Sequence, residues 1–300
     1  MAKNLSVPVV TRMILWSTVV FLLGRSYQHF FMEGAYRALF LDEAIFRGIQ
    51  SIFSDQSWLA FVNSPRTDAG ILVFTRMLAW IWTLTALALV FHRRLPRPML
   101  WVLPGLSSLG LLVYGAAEYL DSGYQWAQWI EHSAQMAMPL LCAFFLRRGA
   151  SASWSMAARA AVGLTFLGHG LYALGYYPVP GHFVYMTTEI TRLSDEAARD
   201  VLLIAGLLDL LALVLVFVPR LDRYALLYCV VWGFLTALAR PFAYLLFNHL
   251  FWITAHQTVF EFVVRVPHFM LPLVVLLAKG PLFQFSSPTE LWPGRIFARR

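Results

Sequence analysis

Residues 261 to 280 read EFVVRVPHFMLPLVVLLAKG, a run apolar enough to cross a bilayer. Glu261, Arg265 and His268 nevertheless fall at i, i+4 and i+7, on one stripe of a helix. Ionisable side chains at that depth cost several kcal/mol unless they pair or reach water, so the stripe reads as a candidate site. Other apolar stretches carry Arg25, Glu131, His132, Gln135, His169, Asp209 and Arg240. His169, His268 and Asp209 are the candidate catalytic groups, because a neutral imidazole can hold a ligand oxygen and exchange its proton. Arg25, Glu131, His132, Gln135, Arg240, Glu261 and Arg265 are candidate ligand-binding groups. At 1.5 Å per residue, His169 stands about 15 Å from Arg159 and His268 about 16 Å from Lys279, so the two imidazoles share a depth.

The same residues admit a structural reading. Glu261 can neutralise Arg265, and Glu131 or Glu118 can neutralise Arg25 or Arg76, stapling a bundle together. Arg25, Arg76, Arg240 and Arg265 balance Glu118, Glu131, Glu261 and Asp209, so the set compensates itself. Pro272 frees the carbonyl of His268, Pro139 that of Gln135, and Pro241 follows Arg240, leaving backbone acceptors beside polar side chains. No HExxH-type spacing calls for a metal, and no histidine recurs at haem spacing on the helices of His169 or His268, so haem is disfavoured.

The elements that position these groups are membrane spans. Of 300 residues, 59% are hydrophobic and 13% charged, with a mean hydropathy of +0.64, which soluble domains do not show. The net charge of +7 lies in short clusters between apolar runs, a pattern that orients spans rather than binds nucleic acid. Cys142 and Cys229 sit inside apolar runs without CxxC spacing, so no disulfide framework is expected. The first apolar run lacks a small-residue cleavage site and reads as a span rather than a signal peptide. Eight spans are expected, at 13–31, 70–91, 99–119, 127–146, 160–177, 201–218, 225–247 and 253–278. The basic clusters, which include Arg93, Arg147, Arg159, Arg220, Lys279 and Arg295 to Arg300, then share one side, which the positive-inside rule makes cytoplasmic together with both termini. Long connections on the other side include DEAIFRGIQSIF, an amphipathic helix with Ile45, Ile49 and Phe53 on one stripe. Ser194 is the expected N-cap of the sixth span. His29, His182, His249 and His256 are expected at the outer surface among belt aromatics, with His182 in the stiff PVPGHF loop placed to cover the polar site.

VVFLLGRSYQ parallels GLTFLGHGLY, and EHSAQMAMPLLCAFFLRR parallels VRVPHFMLPLVVLLAKG, setting Arg25 opposite His169 and Gln135 opposite His268. This predicts an all-α protein of two pseudo-repeated four-helix bundles, 9–148 and 155–280, with a cytoplasmic tail at 281–300. LTFLGHGLYALGYYPVPGHFVYM and LLIAGLLDLLALVLVF, within 155–220, resemble DoxX-like membrane proteins. The resemblance implies small four-helix bundles, a bacterial cytoplasmic (inner) membrane, and a loosely redox-linked setting, without assigning catalytic residues. Three function classes follow. One is a redox component whose outward cavity takes a quinone or small sulfur compound, working with a membrane or periplasmic redox partner protein. The second is a non-catalytic subunit or assembly factor, and the third a transporter of a small molecule or lipid. Absence of phosphate loops and nucleophile elbows argues against ATP-driven transport and hydrolysis.

Overall fold

The computed structural model describes residues 7–53, 57–247 and 251–279; the expected tail at 281–300, with Arg295, Arg299 and Arg300, lies outside them, as does His249. Among the described residues every regular element is a helix. That is what an apolar medium demands, since a helix satisfies its backbone groups within one segment.

The first half of the chain contains α1 (Val7–Phe31), α2 (Tyr36–Phe40), α3 (Glu43–Phe53), α4 (Trp58–Val62), α5 (Pro65–Val90), α6 (Met99–Asp121), α7 (Trp126–Ile130) and α8 (Ser133–Arg148). The second contains α9 (Ala152–Ala173), α10 (Gly181–Thr191), α11 (Asp195–Leu215), α12 (Asp222–Phe247), α13 (Phe251–Val264) and α14 (Val266–Ala278). Serine caps begin several of them: Ser64, Ser151 and Ser194 accept from Arg66, Trp154 and Ala197 N–H groups, so the predicted cap of α11 is present. Five segments are long and apolar enough to cross a membrane: Pro8–Phe31, Pro65–Val90, Met99–Asp121, Asp222–Leu245 and Trp252–Ala278. Their outward stripes expose Trp16, Val73, Met77, Trp80, Val102, Leu109 and Val231. A soluble protein would not expose so continuous an apolar surface; this is a membrane-embedded helical protein.

Two of the expected spans are not continuous helices. The segment at 127–146 is divided into α7 and α8 at Glu131 and His132, and that at 253–278 into α13 and α14 at Arg265. The backbone at the two junctions is nearly identical, φ −84° and ψ 1° at His132, φ −91° and ψ 1° at Arg265. With ψ near zero the chain leaves the helical ladder for one residue and then resumes. At Arg265 the following Pro267 supports the restart, because its missing N–H falls where a helix needs none.

Packing closes two rings. In one, α1 lies on α5, α5 on α6, α6 on α8, and α8 returns to α1; in the other, α9 lies on α11, α12 on α14, and α14 returns to α9. The rings meet where α1 packs on α13 and α14 and where α8 packs on α9 and α14. One apolar core runs through both, from Ile14 and Trp82 to Leu141, Trp154, Leu226 and Val274. In the connection after α1, α3 packs through Phe46; of the expected stripe, the side chains of Ile49 and Phe53 lie outside the described ones. Phe46 is buried against Phe61, centroids 4.9 Å apart, while Ile45 stays half-exposed.

At the other end, Arg159 of α9 approaches Asp222 of α12 to 2.9 Å, and Lys279, just past α14, bonds the same carboxylate oxygen. Asp222 is 1% exposed, so one carboxylate ties three elements. Truncating it leaves two cations facing each other in a nearly closed place. Asp222→Ala is therefore expected to cost about 3–5 kcal/mol in detergent unfolding, where Arg47→Ala, breaking an exposed pair, changes stability by no more than about 0.5 kcal/mol.

Candidate functional site

Where the rings meet, a cavity of about 230 Å³ is lined from α1, α6, the α7–α8 junction, α9, α10, α12 and the α13–α14 junction. Nine of the predicted site residues line it: Arg25, Glu131, His132, Gln135, His169, Arg240, Glu261, Arg265 and His268. Both helix breaks open onto it.

Glycines set its dimensions. A Cβ on Gly168 would stand 2.6 Å from the Glu131 amide nitrogen and 2.7 Å from the Ala127 carbonyl oxygen, so α9 rests directly on the backbone of the α7–α8 junction. Gly170 faces Asp209 and Gly206 of α11 in the same way. The GHG triplet thereby holds His169 between two close helix contacts. Gly24 allows Val263 against α1 beside Arg25. Gly233 lets α12 approach the His268 carbonyl, where a Cβ would stand 2.9 Å from the oxygen that Pro272 deprives of a helical donor.

The first-half side is closed by polar contacts. Arg25, 2% exposed, donates to Gln135 Oε1 through Nε at 3.2 Å and again through its terminal nitrogen, and to Gln28 Oε1 at 2.6 Å. Its guanidinium lies 4.2 Å from the Tyr114 ring centre. His29, expected at the surface, is fully buried below this group. Its Nδ1–H donates to the Arg25 carbonyl at 3.0 Å, which leaves Nε2 to accept from the Tyr36 hydroxyl at 2.8 Å. The ring rests on Trp82 and Tyr114, a filled aromatic cluster that shields the charge.

The second-half side is more open. Glu131 stands 3.5 Å from His169 Nδ1 and 3.9 Å from His132 Nδ1, and His132 donates instead to the Gln128 carbonyl at 2.8 Å. The expected pairing of Glu131 with Arg25 or Arg76 is thus replaced by histidine contacts. Arg240 approaches Glu261 Oε2 to 2.6 Å, in ionic contact without hydrogen-bond alignment, while Arg265 lies 3.7 Å from that oxygen and donates to the Glu261 carbonyl at 3.1 Å. The rings of His169 and His268 are 5.3 Å apart and tilted by 48°. His268 is 5% exposed, and its Nδ1 has no hydrogen-bond partner among the described residues.

Two predicted residues lie elsewhere. Asp209 is buried in the second ring, outside the polar cavity, where it accepts from the Tyr228 hydroxyl at 2.7 Å. Its Cβ packs against Gly170 of α9, and its carboxylate reaches Tyr228 of α12. Arg76 is exposed on α5 among outward-facing Val73, Met77 and Trp80, so it does not take part in the balance of buried charges. The cavity itself is balanced, with Arg25, Arg240 and Arg265 against Glu118, Glu131 and Glu261.

Several lining residues were not predicted: Gln28, Tyr114, Gln128, Tyr172, Phe183 and Phe260. Gln28 follows Arg25 by three positions, Gln128 precedes Glu131 by three and Tyr114 precedes Glu118 by four, helical neighbours of residues already singled out. His182, in the first turn of α10 and outside the candidate spans, lines the cavity with Pro180 and Phe183. Comparison with family models, with curated proteins and with solved structures gives no match, so the site is read from its own geometry.

Two outcomes follow. Gly168→Ala drives a methyl into unyielding backbone, and a loss of about 1–3 kcal/mol in detergent unfolding is expected. The second concerns His182, whose pKa is held down to about 3, first by burial of the ring and then by Arg240 and Arg265. A released histidine titrates near 6.5, so the detached state binds more protons below that pH, and the docking of α10 is complete above it and weakens on acidification. Hydrogen exchange across 181–191, corrected for intrinsic rates, is expected to rise between pH 7 and pH 5, and His182→Phe to remove that rise.

Proposed function

We propose that the chain is a DoxX-like protein of the bacterial inner membrane. In this reading eight spans form two four-helix units, about 9–148 and 155–280, with both termini cytoplasmic. Its outward-facing polar cavity is the ligand site of a redox-linked component and takes a quinone or a small sulfur compound.

Several observations support the repeat. The two rings close in the same helix order, and the junctions at His132 and Arg265 fall at equivalent places, each seven residues before Pro139 or Pro272. Equivalent positions of the two units also make equivalent contacts. Arg25 bonds Gln135 in one half, and His169 faces His268 in the other. Discontinuous helices meeting at a site between repeats are a recurrent way of building ligand sites inside membranes.

The observation that carries the ligand reading is convergence. Polar side chains from both rings and two helix restarts surround one cavity of about 230 Å³, the size of a head group rather than of a whole tailed ligand. His268 lines that wall, and its buried Nδ1 has no hydrogen-bond partner among the described residues. Arginine donors and imidazoles side by side suit a carbonyl or hydroxyl oxygen that gains or loses a proton. His169 and His268 then serve as proton-exchanging groups, with Arg265 and Arg240 orienting the ligand.

The test is to purify the protein in mild detergent and extract it for mass spectrometry. Co-purified quinone or a defined sulfur compound is expected. Arg265→Ala leaves Glu261 its Arg240 partner, so the variant should remain folded and lose at least about tenfold in bound ligand, roughly 1.4 kcal/mol; His268→Ala should behave alike. An extract holding neither compound, with a stoichiometric protein companion instead, would sink the reading in favour of a non-catalytic subunit.

A further inference from the structure

A second, larger chamber of about 460 Å³ lies beside the polar cavity, between α11 and α12 under α10. The two share His169, Phe183, Arg240, Arg265 and His268, so the same side chains form the wall between a polar space and an apolar one. Apart from that wall, and from Asp209 engaged by Tyr228, the chamber is largely aliphatic and aromatic. Its volume falls within the range of about 300–1,000 Å³ that houses whole ligands.

Its mouth faces the bilayer. Leu235, Leu238 and Phe242 of α12 and Val201 of α11 line it while remaining exposed, and both helices continue outward as apolar stripes, with Ile204, Leu207, Val231 and Phe234 exposed. The cause lies in packing: α11 is held tightly to α9 and α12 to α14, but α11 and α12 touch each other only sparingly. Between α5 and α6, by contrast, Gly110 of α6 admits Leu78 and Trp82 of α5.

Charge narrows the occupant. In formal charge the three arginines of the polar cavity match its three carboxylates, so a head group with full charge would bring no counter-charge of its own into a medium that penalises unpaired charge. His268, shared by both spaces, keeps a buried Nδ1 with no hydrogen-bond partner among the described residues.

We propose that cavity and chamber are one site for a membrane lipid with an uncharged, oxygen-bearing head and one hydrocarbon tail. The lipid enters sideways between α11 and α12, places its head at His169 and His268, and leaves its tail in the chamber. This rests on the reading of the polar cavity as a ligand site, and goes beyond it by excluding a water-borne ligand that enters from the outer face.

The test uses the full chain in lipid nanodiscs and three probes: a decyl benzoquinone with a diazirine at the tail end, a tail-less dimethoxy-methyl-benzoquinone as competitor, and a photoreactive phosphatidylglycerol. The tail label is expected on α11 and α12 peptides bearing Leu202, Ala205 or Leu235, and excess tail-less head should reduce that labelling. Thr236→Trp at the exposed mouth, or Ala205→Trp deeper in, should reduce it at least tenfold; Thr236 is exposed, so its variant keeps the test alive if Ala205→Trp fails to fold. Competition by the head without chamber labelling, or labelling unaffected by both variants, overturns the lateral entry while the polar site stands. No competition by the head at all removes the underlying ligand reading. Preferential labelling by phosphatidylglycerol overturns the uncharged head.

Discussion

A charge inside an apolar bundle has no water to turn to, and most of this architecture follows from that constraint. Arg25 is enclosed by Gln135, Gln28 and the Tyr114 ring; Arg240 and Arg265 share Glu261. The backbone obeys the same rule. Where α8 restarts, Ala134 N–H finds the Thr165 hydroxyl of α9 at 2.9 Å rather than remaining bare. Such short reaches require helices to approach closely, and glycine at 24, 168 and 233 supplies the approach where a methyl would collide. Polar chemistry in the middle thus dictates small residues around it.

The two sides of the polar cavity differ in how they are filled. Around Arg25 the space is filled: His29, Tyr36, Trp82 and Tyr114 pack ring against ring, and each hydrogen-bonding atom of His29 is engaged. Around His268 it is not, and a nitrogen is left over beside a chamber. In the ligand reading, the first half is a rigid wall and the second receives the ligand.

Much of this was legible from one sequence because intramembrane ionisable residues are rare and each must be accounted for. Nine candidates chosen on that ground line one cavity. Asp209 and Arg76 departed from the pattern for a reason that sequence does not carry, the rotation of α11 and α5 about their own axes. Counting along a helix gives depth but not azimuth, and Asp209 faces Tyr228 while Arg76 faces outward. The helix breaks escaped notice because hydropathy averages over a window and does not register one residue leaving the ladder; Pro267 was the visible signal at one break, and nothing comparable marks the other. His29 was misplaced since proximity to a span's end says little when the following short helix, carrying Tyr36, folds back over it.

The Asp222 knot has a mechanical corollary. With α9, α12 and the end of α14 fastened at a single carboxylate, those helices cannot slide past one another at that level, and relative movement there reduces to pivoting. Displacement then grows with distance from the pivot, so the opposite ends, where α10 bridges α11 and α12, travel farthest. A substitution at that joint would therefore act at a distance, altering how α9, α12 and α14 lean on one another without touching anything held between them.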